Sequence, residues 1–276
     1  MKKLLPLLLF FMMIGTLKAD DYTIIDTTKV SFYYDYTFVR DTNNITDIDH
    51  DDMVLQVGSH CARFSHTSQV ELDSATYIYR DYTFEEQYKY IKDILALPSS
   101  SKYSSYTLCK GYPKKDEYSI HFYINKKFLR IVEPIFTSWN LEEAKDTTIM
   151  GHPCSLATCN YAGRDYRAWY TLDIPISFGP YKFDGLPGLV MRVEDTKKQH
   201  VFQLYKIEKR KRKMFYVEYD NQIKVNPEAL CGVFRNNIQQ RYRQTTGGKK
   251  LQFDDPSMNA RIANYIISHN NFIERY

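Results

Sequence analysis

Long apolar runs are scarce in this 276-residue chain. Leu4 to Leu17 forms one, and beyond it no stretch has the roughly 20 apolar residues that a membrane-spanning helix needs. The familiar catalytic signatures are missing too. There is no Gly-x-Ser-x-Gly elbow, no His-Glu-x-x-His pair and no phosphate-cradling glycine loop. The seven histidines have no serine or carboxylate partner fixed by spacing. A charge of one sign is also lacking. The formal net charge of +4 includes Lys2, Lys3 and Lys18, so residues 20–276 carry only +1. A nearly neutral chain gives no general attraction to nucleic acid or to an anionic membrane, and no nucleic-acid partner is expected. These absences favour a non-catalytic role. A hydrolase stays open, because catalytic triads are recognised by geometry and not by order in the chain.

What is present begins with a leader. Lys2-Lys3 form a basic start, Leu4 to Leu17 an apolar stretch, and Leu17-Lys18-Ala19 a cleavage site, the pattern of a secretory signal peptide over residues 1–19. No cysteine near the cleavage point suggests a lipid anchor. Residues 20–276 are then expected to be one exported domain, periplasmic or secreted, with no transmembrane segment once the leader is removed.

Tyrosine (24) and phenylalanine (16) are abundant, which favours strands. Val30 to Val39 alternates Val30, Phe32, Tyr34, Tyr36 and Phe38 on one face, the period of a half-buried strand. Asn43-Asn44 and the acidic run Asp47 to Asp52 predict a turn before a strand at Met53–Val57. Further strands are predicted at Ala75–Tyr82, at Tyr118–Ile124 paired with Phe128–Val132 as a hairpin, at Tyr166–Thr171, Leu189–Val193, Val201–Ile207 and Phe215–Tyr219. Helices are expected from the Thr83-x-x-Glu86 capping box to about Leu97, from Asn226-Pro227, and from Asp255-Pro256. The fold class that follows is α+β and strand-dominated: a long curved antiparallel sheet, half-open and barrel-like, with a few helices on one face or at the ends. Its texture is similar to that of bacterial lipoprotein carriers, a likeness of fold level only.

Residues Ile174 to Val190 fit neither a helix nor a simple strand. Pro175, Pro180 and Pro187 exclude a helix, and Pro187-Gly188 suits the centre of a type II turn. Yet Ile174, Ile176, Phe178, Tyr181, Phe183, Leu186, Leu189 and Val190 are apolar, so this ribbon is expected to pack across something. Together with Gly163-Arg164 and Ala168-Trp169-Tyr170, the run Gly185-Leu-Pro-Gly-Leu-Val190 resembles the signature of the GLPGLI family, also called Porph_ging. Those are exported bacterial proteins of unknown function. Asp52 to Gly58 and Asn271 to Glu274 are fainter points of similarity.

The resemblance, with the residue types, makes Arg164, Trp169, Tyr170, Phe183, Gly185, Leu186, Pro187, Gly188 and Leu189 the candidate binding residues. No catalytic residue and no cofactor is assigned. The expected function is a non-catalytic binding or envelope-associated protein, its partner unknown: an apolar small ligand or an envelope protein. The competing reading of Ile174 to Val190 is a buried seam of the sheet. On Arg164 to Tyr170, Arg164, Tyr166, Ala168 and Tyr170 should share one face, with Trp169 in the core and Asp165 paired to Arg167.

Five cysteines follow the leader, an odd number that leaves at least one thiol unpaired within the chain. Cys154 and Cys159 are disulfide candidates, permitted by export. His60, Cys61, His152, Cys154 and Cys159 are the side chains from which a soft-metal site for Zn or Cu would be drawn. Their spacings match no standard zinc pattern, and no metal is assigned. The basic run Lys209 to Lys213 reads as a solvated hairpin tip or as a dock for anionic surfaces.

Overall fold

The computed structural model describes residues 22–95, 106–124, 127–142, 147–219, 222–229, 232, 273 and 274. In chain order the elements are β1 (Tyr22–Thr27), β2 (Val30–Asp41), β3 (Asn44–Val57), β4 (Ala62–His66), helix α1 (Thr67–Ile78), helix α2 (Phe84–Leu95), β5 (Tyr106–Lys110), β6 (Glu117–Ile124) and β7 (Lys127–Pro134). There follow β8 (Asn140–Leu141), β9 (Thr147–Ile149), β10 (His152–Tyr161), β11 (Arg164–Thr171), β12 (Leu189–Asp195), β13 (His200–Glu208), β14 (Lys213–Val217) and β15 (Ile223–Lys224), then a short 3-10 turn at Pro227–Ala229. One large, curved, unclosed sheet runs in the order β15-β7-β6-β5-β4-β3-β2-β13-β12-β11-β10-β8, with β9 also on β10. Every pairing in it is antiparallel except β15 with β7. β1 and β14 form a separate antiparallel ribbon.

Alternation decides which side chains face inward. On β2, Phe32, Tyr34, Tyr36 and Phe38 are buried in the main cluster. Their cross-strand neighbours Leu55, Met53 and Phe202 lie on the same face. Phe64, Leu108, Ile120 and Ile131 continue it along the sheet. The opposite face carries Arg63, Cys109, Ser119 and His121, and there α1 packs against β3 and β4. The anchor is the ion pair of Arg63 with Asp73, both buried. Gln69 Nε2 donates to the other Asp73 oxygen at 2.7 Å.

Several predicted elements hold: the β2 strand, the β6–β7 hairpin, β11, β12 and β13. So does the capping box, where Thr83 N–H donates to Glu86 (3.0 Å) and Glu86 N–H to Thr83 Oγ1 (3.4 Å). Others are corrected. Ala75–Tyr82 is not a strand, because α1 runs through Ile78. The His66 ring caps it by accepting from Ser68 N–H (3.1 Å), and Val70, Asp73 and Thr76 recur at helical spacing as its buried side. The acidic run is not a turn either. β3 starts at Asn44, leaving Thr42-Asn43 as the turn, and Arg40 pairs with both Asp47 and Asp49, so the acids extend the ladder.

The strand predicted at Phe215–Tyr219 ends at Val217, and its partner is β1 rather than β13. The basic run is therefore a crossing from sheet to ribbon and not a hairpin tip. Part of it is held: Arg212 pairs with Glu71, and the Lys213 ammonium lies 4.7 Å above the Tyr77 ring. Past Asn226-Pro227 the described residues are the 3-10 turn and Gly232, which is helical; the rest of the helix predicted there, the helix predicted from Asp255-Pro256 and residues 1–19 lie outside the described residues.

Truncating the α1 anchor tests this packing. Asp73→Asn leaves Arg63 buried without a counter-charge, which costs about 3–5 kcal/mol. The expected outcome in a denaturant titration is a midpoint lowered to match.

Candidate functional site

Thr171 and Leu189 are paired across β11 and β12, so residues 172–188 form one long excursion between adjacent strands. It folds back over the inner face of the sheet. Tyr181, Phe183, Leu186, Leu189 and Val190 are all 2% exposed or less. Phe183 is the hub: the rings of Tyr166 (4.6 Å), Tyr161 (6.1 Å), Tyr181 (6.1 Å), Phe202 (6.3 Å) and Trp139 (6.3 Å) surround it. The backbone is tied by Gly185 N–H to Ser177 O (2.9 Å), Phe183 N–H to Pro180 O (3.1 Å) and Leu189 N–H to Ile174 O (2.9 Å).

The predicted type II turn at Pro187-Gly188 does not form, since the left-handed φ values fall on Tyr181 (51°) and Gly185 (89°). Gly188 is needed for a different reason. A Cβ there would sit 1.9 Å from the Thr171 carbonyl oxygen.

Under this loop lie two buried ionic groups that the sequence reading missed. Asp184 is the first. Its Oδ1 accepts from the Lys110 ammonium and from Gly179 N–H, both at 2.7 Å, and its Oδ2 accepts from Tyr118 OH at 2.8 Å. Lys110 also donates to the Gly179 carbonyl at 2.6 Å. Trp139 Nε1 donates to the Asp184 carbonyl at 2.7 Å. Burial pushes the Asp184 carboxyl up and the Lys110 ammonium down, each toward its neutral form, and their mutual attraction opposes both shifts. The second group centres on Lys182, whose ammonium meets Glu133 of β7 and Glu274 of the C-terminal segment. Tyr181 OH donates to Glu274 Oε1 at 2.6 Å and Tyr161 OH at 3.3 Å, while Tyr166 OH donates to the Ile273 carbonyl at 2.8 Å.

A cavity of about 70 Å³ opens on the other side of the sheet, between β4–β7, α1 and the ribbon. Arg63, Gln69, Asp73, Cys109 and His121 give its polar side; Phe128, Phe215, Tyr216, Val217 and Tyr219 give the apolar one. His121 bonds Ser119 Oγ (3.0 Å) and Gln222 Nε2 (2.8 Å), and burial first, then Arg130 and Arg63, push it down to about 3. It is a neutral, satisfied ring and not a base at physiological pH. Arg63 is 1% exposed, and its Nε has no hydrogen-bond partner among the described residues.

With the loop in view, the family comparison is decisive for one segment. Residues 139–192 match the Porph_ging family model, which supports the resemblance seen in the sequence. The family model is described as a protein of unknown function. No curated protein matches the chain. Two solved structures of PNGF-II, in space groups P21 and C2, are similar at 11% and 12% identity with TM-scores of 0.46 and 0.44. The matches cover 75% and 74% of this chain and 33% and 31% of those chains, so the chain spans about a third of PNGF-II.

The Porph_ging segment opens at Trp139, which bonds Asp184, and closes within β12, so it contains the whole loop, all of β11 and the first part of β12. Of the nine candidate binding residues, Arg164, Tyr170, Phe183, Leu186, Gly188 and Leu189 are buried, Trp169 is half-buried, and Gly185 and Pro187 face solvent. Arg164, Tyr166, Ala168 and Tyr170 share the inner face as the pattern predicted. Arg164 pairs with Asp195 at 3.2 Å and donates to Gln199 at the same distance. The expected Asp165–Arg167 pair is replaced by Asn160–Asp165 (2.8 Å) and Arg167–Glu194 (3.1 Å), because cross-strand neighbours lie closer than residues two apart. Trp169 packs at the edge of the core, with the Arg192 guanidinium 5.7 Å from its ring.

Cys61, Cys109, Cys154 and Cys159 are buried free thiols, and no bond joins Cys154 to Cys159. Cys231 lies outside the described residues. Burial pushes Cys61 up to about 11 and both Cys109 and Cys159 up to about 12, which keeps them as unreactive thiols. The metal candidates are not brought together. His60 is exposed beside Asp26, His152 bonds Asp173 at 2.8 Å, and no three His, Cys, Asp or Glu form a metal-sized group among the described residues.

Lys110 and Asp184 carry a signal after all: Leu108 and Lys110 share one strand face, and Asp184 follows the buried Phe183. Three outcomes follow from the geometry. Leu186→Ala or Leu189→Ala should lower unfolding free energy by about 2–5 kcal/mol, and Gly188→Ala should be strongly destabilising for want of space, both measured by denaturant titration. Asp184→Asn should cost about 3–5 kcal/mol, whereas Lys110→Met with Asp184→Leu should recover most of that loss, since a buried pair is tolerated better removed whole than halved.

Proposed function

We propose that this Porph_ging protein is an exported, non-catalytic binding protein, in which the apolar loop is the internal support of the sheet and the ligand enters the cavity on the opposite face. Export rests on the leader pattern of Met1 to Ala19. The loop supports rather than receives, because its large side chains are already spent on Phe183 and the inner face. Its exposed Gly185 and Pro187 leave a stiff outer rim that an envelope partner would meet with little loss of entropy.

The cavity is the observation that carries the reading. Its aromatic wall includes Phe128 stacked on Tyr219 with ring centroids 3.6 Å apart. Its polar end holds the Arg63 Nε, unpartnered among the described residues, beside Asp73. At about 70 Å³ it is smaller than the ~150 Å³ apolar cavity known to hold benzene. The fitting ligand is therefore a small, mainly apolar molecule with one hydrogen-bonding end, or the terminus of a longer one.

An amide series from acetamide through isobutyramide to benzamide tests this in solution. Chemical-shift changes should concentrate at Cys109, His121, Phe215 and Tyr216 and strengthen with the apolar group until it outgrows the space. Shifts scattered over the surface, or none at millimolar amide, would remove the cavity as a binding site. For export, the mature protein recovered from its host should begin at Asp20 by mass spectrometry. Retention of residues 1–19 would contradict it.

A further inference from the structure

Lys110 and Asp184 bring an amine and a carboxyl group together where solvent does not reach. Their side chains are 0% and 1% exposed, and 74 positions separate them in the chain. The rings of Phe64 and Phe178 lie 5.9 and 6.0 Å from the Lys110 nitrogen, so the pair has apolar walls. Nζ is 2.7 Å from Oδ1, and the carboxyl carbon is therefore at most one bond length further away. Two groups held this close no longer have to find one another, which removes a large part of the barrier to joining them.

We propose that Lys110 and Asp184 condense to an intramolecular isopeptide bond, with Tyr118 holding the oxygen that becomes the amide carbonyl. This inference goes beyond the cavity reading and does not rest on it. A proton first passes from Nζ to Oδ1 along their hydrogen bond, leaving a neutral amine and a neutral acid. Burial favours that transfer, because it pushes the Lys110 ammonium down and the Asp184 carboxyl up. The nitrogen lone pair then forms a bond to Cγ while the carbon–oxygen double bond opens onto Oδ2. Tyr118 OH, 2.8 Å from Oδ2, donates to the charge that develops there. A second proton passes from the nitrogen to the hydroxyl at Oδ1, the double bond to Oδ2 closes again, and Oδ1 leaves as water. One amine and one acid give one amide and one water, and nothing is oxidised or reduced.

The surrounding groups suit the product as well as the reactants. The amide nitrogen keeps one hydrogen, and the Gly179 carbonyl, 2.6 Å from Nζ, is placed to accept it. The new carbonyl oxygen keeps the Tyr118 hydroxyl. Gly179 N–H, which donates to Oδ1 before the reaction, is the donor that loses its acceptor. One released N–H costs less than two buried charges, and the closed surroundings withhold the water that hydrolysis would need. The Arg63–Asp73 pair on the opposite face has no such course, since a guanidinium is not deprotonated in proteins. The bond ties the loop to β5 in a chain whose described cysteines are all free.

Mass spectrometry of the wild-type full chain tests this, after native purification, overnight incubation and tryptic digestion of the denatured protein. The expected product is a branched peptide uniting the Lys110 and Asp184 segments, lighter than their sum by one water, about 18 Da. Separate peptides of unchanged mass, or a branch at Lys182 in place of Lys110, would overturn the proposal. In a time course, Tyr118→Phe, which removes only the hydroxyl, should form the branch about a hundredfold more slowly. A branch forming in that variant at the wild-type rate would overturn the role given to Tyr118. The wild-type measurement decides the bond by itself, whatever the stability of the variant.

Discussion

A single carboxylate, Asp184, fixes how the loop lies on the sheet. It takes three donors at once, from Lys110 at the end of β5, Tyr118 at the start of β6 and Gly179 within the loop itself. Its own carbonyl takes a fourth from Trp139. A charge this deep in the protein is tolerated only when it is both paired and fully hydrogen-bonded, and each of those bonds comes from a different part of the chain. Phe183 is the next residue, so fixing Asp184 also fixes the hub on which five aromatic rings converge. The loop backbone, with three prolines and few regular partners, has no ladder to hold it. Asp184 supplies what a ladder would otherwise provide.

The sheet is covered on both faces, and each covering is pinned by a buried ion pair. On the inner face Lys110 holds Asp184 of the loop; on the outer face Arg63 holds Asp73 of α1. Arg63 and Lys110 reach opposite faces because they stand out of phase across the β4–β5 pairing, where Arg63 opposes Cys109 and Lys110 opposes Ala62. Both cations come from the β4–β5 pair, near the middle of the sheet. The inner face closes completely over Phe183. The outer face, where the ribbon and α1 meet, does not close, and the cavity is left between them. That asymmetry is why the reading of function moves from the apolar loop to the opposite side.

Strict alternation made much of the fold legible. β2, the β6–β7 hairpin, β11 and β12 follow from period-two burial, and α2 from its capping box. The failures have physical causes. Ala75-Thr-Tyr-Ile-Tyr79 has the composition of a strand, yet Asp73 must reach Arg63, and a helix capped by His66 delivers it there. The acids of β3 look like a turn until Arg40 is known to lie opposite them. The apolar packing of Ile174 to Val190 was readable, and so were the inward faces of Arg164, Tyr166 and Tyr170. The lysines were harder to read: Lys110 shares a strand face with Leu108, but like Lys182 it has the sequence context of a solvated side chain. Only the tertiary position of Asp184, Glu133 and Glu274 shows that they are buried. Ile273-Glu274, faintly similar to a family tail by sequence, gains a reason in the Lys182 contact.

Burying such charges in place of apolar side chains needs an explanation, because a hydrophobic replacement of similar volume is often as stable. The loop offers one. Its apolar residues recur at short intervals, with Ile174 and Ile176, Tyr181 and Phe183, and Leu186 and Leu189 each separated by two or three positions. A purely greasy ribbon of this kind could shift by two residues and bury nearly the same area, since the hydrophobic effect is non-directional. Hydrogen-bonded charges cannot shift in that way. Moving the loop by two positions would put Leu186 against Lys110 and leave a buried ammonium without a counter-ion. The ionic groups therefore select one placement among several of similar apolar burial, and the absent side chain of Gly188, against the Thr171 carbonyl, closes off the remainder.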